Sequence, residues 1–212
     1  PVLSVEPPVA MFDSSQVIVG LEIGTSKVCA AVGEVGPNGE VTIEGIGQAR
    51  SRGVRKGEVI DAEKAAVDVR HALAEAEDMA DVEIQNVFLA VSGTHIRCQN
   101  SKGVQPIASA DRAITPEDAQ LAIRNAKHLS CPTGFEVIDS VRQDFLVDNR
   151  PCENPVGAVG GRVEARVHVI HGNTNLIATA TKVVEAAQVK VEKPVFSALA
   201  SALAVLTPEQ KE

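Results

Sequence analysis

The chain has no tryptophan and no tyrosine, and aromatic residues make up 2% of its 212 positions. Its core has to be assembled from Val, Ile, Leu and Ala instead. At 44% hydrophobic residues there is enough material for one large domain or two small ones. The same shortage removes the aromatic platforms on which bases stack. Positive charge is also scarce: 20 Lys and Arg against 28 Asp and Glu leave a net charge of −8. That argues against nucleic acid as a partner, because phosphate backbones require clustered cations. No apolar run approaches the roughly 20 residues that cross a bilayer. There is no charged-then-apolar signal peptide, and no basic amphipathic helix for a membrane surface.

The cysteines Cys29, Cys98, Cys131 and Cys152 form no C-x-x-C pair, so a zinc site is not expected and reduced thiols are. The histidines do not cluster. His168 and His171 stand three apart, which on a strand puts them on opposite faces, and they read as ordinary strand or surface residues.

What is present is a clear alternation of elements. Residues 1–15, with Pro1, Pro7 and Pro8 ahead of Met11, read as a flexible leader. Val17–Ile23 and Lys27–Glu34 are short apolar strands joined by a Gly-Thr-Ser turn. Gly36–Gly39 is a second turn and Val41–Gly47 a third strand, which together make a meander. A basic loop, Arg50–Glu58, leads to Asp61, whose carboxylate suits a helix N-cap. Ala62, Ala66, Val69, Leu73 and Ala76 then give the buried stripe of a helix ending near Met79. Val87–Val91 is apolar on both faces, as a central strand is. Gly93–Ala110 is polar and loop-like, with room for one strand. Thr115-Pro116-Glu117-Asp118 is a helix start, followed by a stripe of Ala119, Ile123 and Ala126. Glu136–Val147 is extended and Pro151–Gly161 a loop. Arg162–Ile170 alternates, with Val163, Ala165, Val167 and Val169 on one face and Arg162, Glu164, Arg166 and His168 on the other. Leu176–Ala187 reads as a helix, Val189–Val195 as a strand, and Phe196–Leu206 as a tightly packed helix. The order predicts an α/β layer with a small α+β unit inserted in it.

Three places carry possible chemistry. In the turn Gly24-Thr25-Ser26-Lys27, glycine permits close approach, consecutive N–H groups can form an anion nest, two hydroxyls donate, and Lys27 adds charge. Glu22, just before it, could hold a hydrated Mg²⁺ through water. A hairpin turn of this composition also has a purely structural reading. The patterns of a P-loop, a dinucleotide fingerprint and a nucleophile elbow around Ser92 are absent, and His95 reads as a loop residue. In the loop Ser51–Asp61, Arg52, Arg55 and Lys56 could face phosphate or an acidic partner, or simply water. The inserted block, 84–171, offers a wet strand face that suits either docking or solvation.

These residues resemble a known family. Val19–Val35, VGLEIGTSKVCAAVGEV, looks like the first phosphate-binding hairpin of the actin and Hsp70 superfamily in its FtsA form. Ser51–Asp61, Ala76–Gly103, Asn154–Ile170 and Ala198–Glu212 resemble further FtsA segments, in the same order, so the likeness spans about 16–212. The resemblance implies an actin-like, ribonuclease H-like subdomain 1A at 16–83 and 172–212, with an SHS2-type subdomain 1C at 84–171. It implies a division scaffold that binds ATP with Mg²⁺ through Gly24, Thr25, Ser26 and Lys27 and is a weak ATPase at most. The implied partners are a ring protein like FtsZ, a protein like FtsN docking on 1C, the membrane, and further copies of the chain. The implied place is the cytoplasmic face of the bacterial inner membrane at the division site. The second phosphate hairpin, the adenosine motif, subdomain 2B and the terminal amphipathic helix of that family find no match within these residues. The expectation is therefore one lobe of the fold with half a nucleotide site and no turnover of its own. Two other families enter the comparison: actin-like pilus assembly proteins, which also carry an SHS2-type insert, and sugar or acetate kinases, whose catalytic acid finds no counterpart here.

Overall fold

The computed structural model describes residues 16–109, 111–128 and 131–210; the expected leader, 1–15, lies outside them. The described residues fold as two units, one of 16–96 and 173–204, the other of 97–109, 111–128, 131–172 and 205–210. The sequence reading put the divisions at 83/84 and 171/172. The strand that makes the difference at the first division is hydrogen-bonded within the larger unit.

In that unit, β1 (Gln16–Ile23), β2 (Lys27–Val35) and β3 (Val41–Arg50) form the expected antiparallel meander. The turn between β2 and β3 closes through Gly39 N to Gly36 O, 2.9 Å, and Gly36 N to Glu40 O, 2.8 Å. Val54–Arg55 (β4) and Glu58–Val59 (β5) make a two-stranded hairpin inside the loop that was expected to be irregular. Helix α1 (Ala62–Ala80) starts on Asp61, whose carboxylate accepts from Lys64 N at 3.0 Å. Its buried face is Ala65, Ala66, Asp68, Val69, Ala72, Leu73 and Ala76. Ala62, expected in the stripe, is exposed in the first turn, and burial begins at Ala65.

Strand β6 (Asn86–Val91) runs parallel to β1, with Gly20 opposite Phe88 and Glu22 opposite Ala90. After the excursion into the second unit, α3 (Thr174–Glu185) begins on Asn173, whose Oδ1 accepts from Asn175 N and Leu176 N. Strand β11 (Lys190–Phe196) then joins β6 in parallel, giving a five-stranded sheet of order β11-β6-β1-β2-β3. Leu21, Val28, Ala30, Val32, Val87 and Leu89 are buried on one face of it. Helix α1 lies against β2 and β3, and α3 against α1 and β11. The last helix, α4 (Ser197–Val205), has no buried residue. It is apolar as expected but not packed, since composition alone does not supply the surface a helix needs to rest on.

The second unit contains β7 (Ile96–Pro106), α2 (Pro116–His128), β8 (Phe135–Val147), β9 (Arg150–Cys152) and β10 (Arg162–Asn173). Its sheet has order β7-β10-β8-β9. The region Gly93–Ala110, expected to be mainly loop, is largely the eleven-residue β7. It is an edge strand whose covered face carries Ser101, Gly103 and Gln105, none of them a large apolar residue, so it lacks the apolar alternation that marks a half-buried strand. Helix α2 is capped reciprocally: Asp118 N donates to Thr115 Oγ1 at 3.2 Å, while Thr115 N donates to Asp118 Oδ2 at 3.0 Å. Ala119, Ala122 and Ala126 of α2 pack with Ile114, Phe145, Val163, Ala165, Val167 and Val169 as a separate core. Ile123 is half-buried at its margin.

Candidate functional site

Strands β1, β6 and β11 are parallel, so their carboxyl ends leave the five-stranded sheet along one edge. That edge is where open α/β sheets bind ligands, because the connections diverge there and leave backbone groups unpaired. The turn Gly24–Lys27 follows β1 and the loop Ser92–His95 follows β6.

The turn is closed by Gly24 N donating to Lys27 O at 3.0 Å. A Cβ on Gly24 would stand 2.8 Å from that same oxygen, so the position requires glycine. Thr25, Ser26 and Lys27 are exposed at the rim. The N–H groups of Thr25 and Ser26 donate to no acceptor among the described residues. Thr25 Oγ1 accepts from Gly57 N at 3.1 Å, which leaves its O–H proton free to donate outward. Ser26 O accepts from Ser51 N at 3.2 Å. Lys27 Nζ rests 3.5 Å from Gln48 Oε1. Glu22 is exposed on the sheet face away from α1, in a row with Ala90, Cys29 and Gln48. The five residues singled out in the sequence thus stand on one hairpin, and two loops clasp its tip.

The basic loop resolves into residues with different tasks. Arg52 is committed to Asp68. Its backbone N donates to Oδ2 at 2.7 Å and its Nε and Nη2 to Oδ1 at 2.8 and 2.5 Å, while the Asp68 side chain is 2% exposed. A guanidinium held this way is structural, which removes it from the phosphate candidates. Arg55 and Lys56 remain exposed.

Behind the turn lies a cleft lined by Ile23, Val54, Gly57, Leu89, Ser92 and His95, among others. His95 was expected as a loop residue. It is buried, burial lowers its pKa, and Glu58 pulls weakly the other way. Its Nδ1 has no partner among the described residues. His171, expected as an ordinary strand residue, is likewise buried, with both ring nitrogens unpartnered and a pKa lowered by burial. Neither burial was legible in the sequence: His171 stands one residue beyond the alternating run 162–170, and His95 lies in the expected loop, where no period shows which way a side chain faces. Among the described residues no group of three or more His, Cys, Asp and Glu side chains could hold a metal ion.

In the second unit the outward face of β10 carries Glu164, Arg166 and His168. They are tied along and across strands: Arg166 Nε to Glu164 Oε1 at 3.5 Å, Lys102 Nζ to the same oxygen at 3.9 Å, and His168 Nδ1 to Asn100 Oδ1 at 2.7 Å. This face is polar and internally paired.

Comparison with known proteins agrees with that architecture. Residues 93–171 match the SHS2 domain inserted in FtsA. The chain is 40% identical over 198 residues to the cell division protein FtsA of Escherichia coli K12, covering 93% of this chain and 47% of that protein. It is 37% identical over 204 residues to FtsA of Pseudomonas aeruginosa, covering 96% and 48%. For FtsA of Neisseria meningitidis serogroup B the identity is 38% over 193 residues, covering 91% and 46%. The chain spans about half the length of these curated relatives. Among solved structures, the PilM-PilN type IV pilus biogenesis complex superimposes with a TM-score of 0.58 at 16% identity, over 88% of this chain and 49% of that one. That likeness shows the fold, an actin-like α/β unit with an inserted SHS2 subdomain.

Proposed function

The chain is a relative of the FtsA cell-division proteins, and we propose that it serves as an ATP-binding division scaffold whose Gly24–Lys27 turn receives the nucleotide's phosphates. The observation that carries this reading is the pair of unclaimed N–H groups at Thr25 and Ser26, framed by two hydroxyls and Lys27 at the carboxyl end of β1. These are the donors an anion needs, at the place in the sheet where ligands bind. When bound, ATP with Mg²⁺ would supply the charge that stabilises a closed arrangement around the turn, with Glu22 holding a metal-bound water. The SHS2 unit is the docking part of this reading, toward other division proteins such as one like FtsN. Assembly with further copies, with a ring protein like FtsZ and with the cytoplasmic face of the inner membrane belongs to the same reading. The curated relatives are named for division, which favours it over pilus assembly.

The turn by itself gives weak binding. Two charge-assisted hydrogen bonds contribute about 3–6 kcal/mol before the losses of association, and a millimolar complex already requires about 4.1 kcal/mol. Residues 1–212 should therefore bind ATP with Mg²⁺ no tighter than about millimolar, with amide shifts centred on Gly24–Lys27 in a nuclear magnetic resonance titration. Shifts confined to another region, or a micromolar constant by calorimetry, would refute the reading.

A further inference from the structure

We infer that Lys56 is a second phosphate-binding cation, held beside the Gly24–Lys27 turn by a backbone conformation a lysine does not ordinarily adopt. The inference rests on the nucleotide reading above and adds a residue to it.

Strands β4 and β5 are joined by only two residues, Lys56 and Gly57, with φ of 53° and 79°. Two successive left-handed residues make the tight hairpin turn that matches strand twist, and Asn, Asp or Gly ordinarily fill its first position. The chain uses that ordinary chemistry elsewhere: the link between β8 and β9 is Asp148-Asn149, with φ of 47° and 68°. At 56 it places a lysine instead, where left-handed backbone is costly for a residue with a long side chain.

The hairpin tip is fixed in place. Gly57 N donates to Thr25 Oγ1 at 3.1 Å, which pins the tip to the phosphate turn. On its other side, a Cβ on Gly57 would stand 2.5 Å from Ser92 O, and one on Gly93 would stand 3.2 Å from Lys56 O. The backbone of the Lys56-Gly57 turn is thus set between the loops that follow β1 and β6, with the Lys56 side chain exposed.

Its charge is unmatched. Arg52 is bound to Asp68. Arg55 stands across from Glu58 in the hairpin register, with no ion pair between them. Glu58 also accepts from Thr94 Oγ1 at 3.4 Å. Lys56 is exposed and has no carboxylate within ion-pair distance among the described residues. An ammonium on a flexible stem, anchored at its root beside unclaimed N–H groups, fits a polyphosphate with two or more anionic groups.

The test compares Lys56→Asn and Lys56→Arg in the 212-residue chain, using inorganic tripolyphosphate with Mg²⁺ as probe and the amide signals of Thr25–Lys27 as readout. Asn suits the left-handed position and removes the charge; Arg keeps the charge. K56N should bind tripolyphosphate about tenfold more weakly than the native chain, the loss of roughly one charge-assisted contact, with an unchanged or raised melting temperature. K56R should stay within about twofold. Equal binding by the native chain and K56N overturns the inference and leaves the nucleotide reading standing. Failure of the native chain to shift the Thr25–Lys27 signals with tripolyphosphate overturns both.

Discussion

His171 is the residue at which burial and chemistry disagree most. It is 0% exposed, and its two ring nitrogens find no partner among the described residues. Burial penalises the imidazolium, so its folded pKa lies below the ordinary 6.5. The unfolded chain therefore takes up a proton near pH 6.5 that the folded chain refuses until lower pH, and stability falls as pH drops through that window. His95 is depressed by the same cause and adds in the same direction. The carboxyls of Asp61, Asp111, Asp118 and Glu209 are lowered by hydrogen bonds, largest from Lys64, Ala113 and Thr115 for the three aspartates and from its own backbone for Glu209. Their stabilising contribution is complete above the ordinary carboxylate range and is lost only on further acidification, so it stays constant between pH 7.5 and 5.5. Thermal melts should show a lower melting temperature at pH 5.5 than at 7.5. His171→Leu, which fills a similar volume without buried nitrogens, should shrink that difference. An undiminished difference in the variant would place the acid sensitivity elsewhere.

The elements were legible in proportion to how unequally their two faces are buried. Strand β10 and helices α1 and α2 alternate apolar and polar residues at the period of their backbone, and β1, β2 and β3 are short runs divided by glycine turns; each was readable. Strand β7 was not, because the face it turns to α2 carries Ser101, Gly103 and Gln105, which show no apolar period. The β4–β5 hairpin was hidden by a lysine at a position where Asn or Asp would have announced the turn. Helix α4 was readable as a helix but not as an exposed one. Packing between elements leaves a fainter mark, in the glycines of β3. A Cβ on Gly47 would stand 1.8 Å from Ala72 O and 2.6 Å from Ala76 N, and one on Gly45 2.6 Å from Ala76 O. The backbone of α1 therefore rests directly on β3, with alanines facing glycines. The smaller unit repeats the arrangement, with Gly103 of β7 facing Ala122 O at 2.0 Å by the same measure. Gly47→Val should push α1 off the sheet and cost about 3 kcal/mol or more, the upper end of overpacking. Urea unfolding checks this: a midpoint within error of the native chain's would mean that α1 does not lie as close to β3 as described.

At the scale of the molecule, the smaller unit has what independent folding requires. Its nine-residue core draws on α2, β8, β10 and the Ile114 loop. Asp148 ties the loop before β10 to the β8–β9 turn by accepting from Gly161 N at 3.0 and 3.1 Å and from Arg162 N at 3.2 Å. Ile114 N to Ala158 O and Gly157 N to Ile114 O, both 2.9 Å, close the same loop against the start of α2. A core of that size is near the lower limit for autonomous stability, where a domain buries only about 60% of its unfolded surface. Residues 97–172 alone should therefore fold, with a cooperative but low melting transition by circular dichroism and dispersed amide signals. Val167→Asp, which buries an unpaired carboxylate at a position 0% exposed, should abolish both. If the native piece instead gives collapsed amide signals and no transition, the core under α2 is insufficient by itself. The SHS2 unit would then be an extension that folds only on the larger sheet, and the proposed docking role would have to be tested on the whole chain.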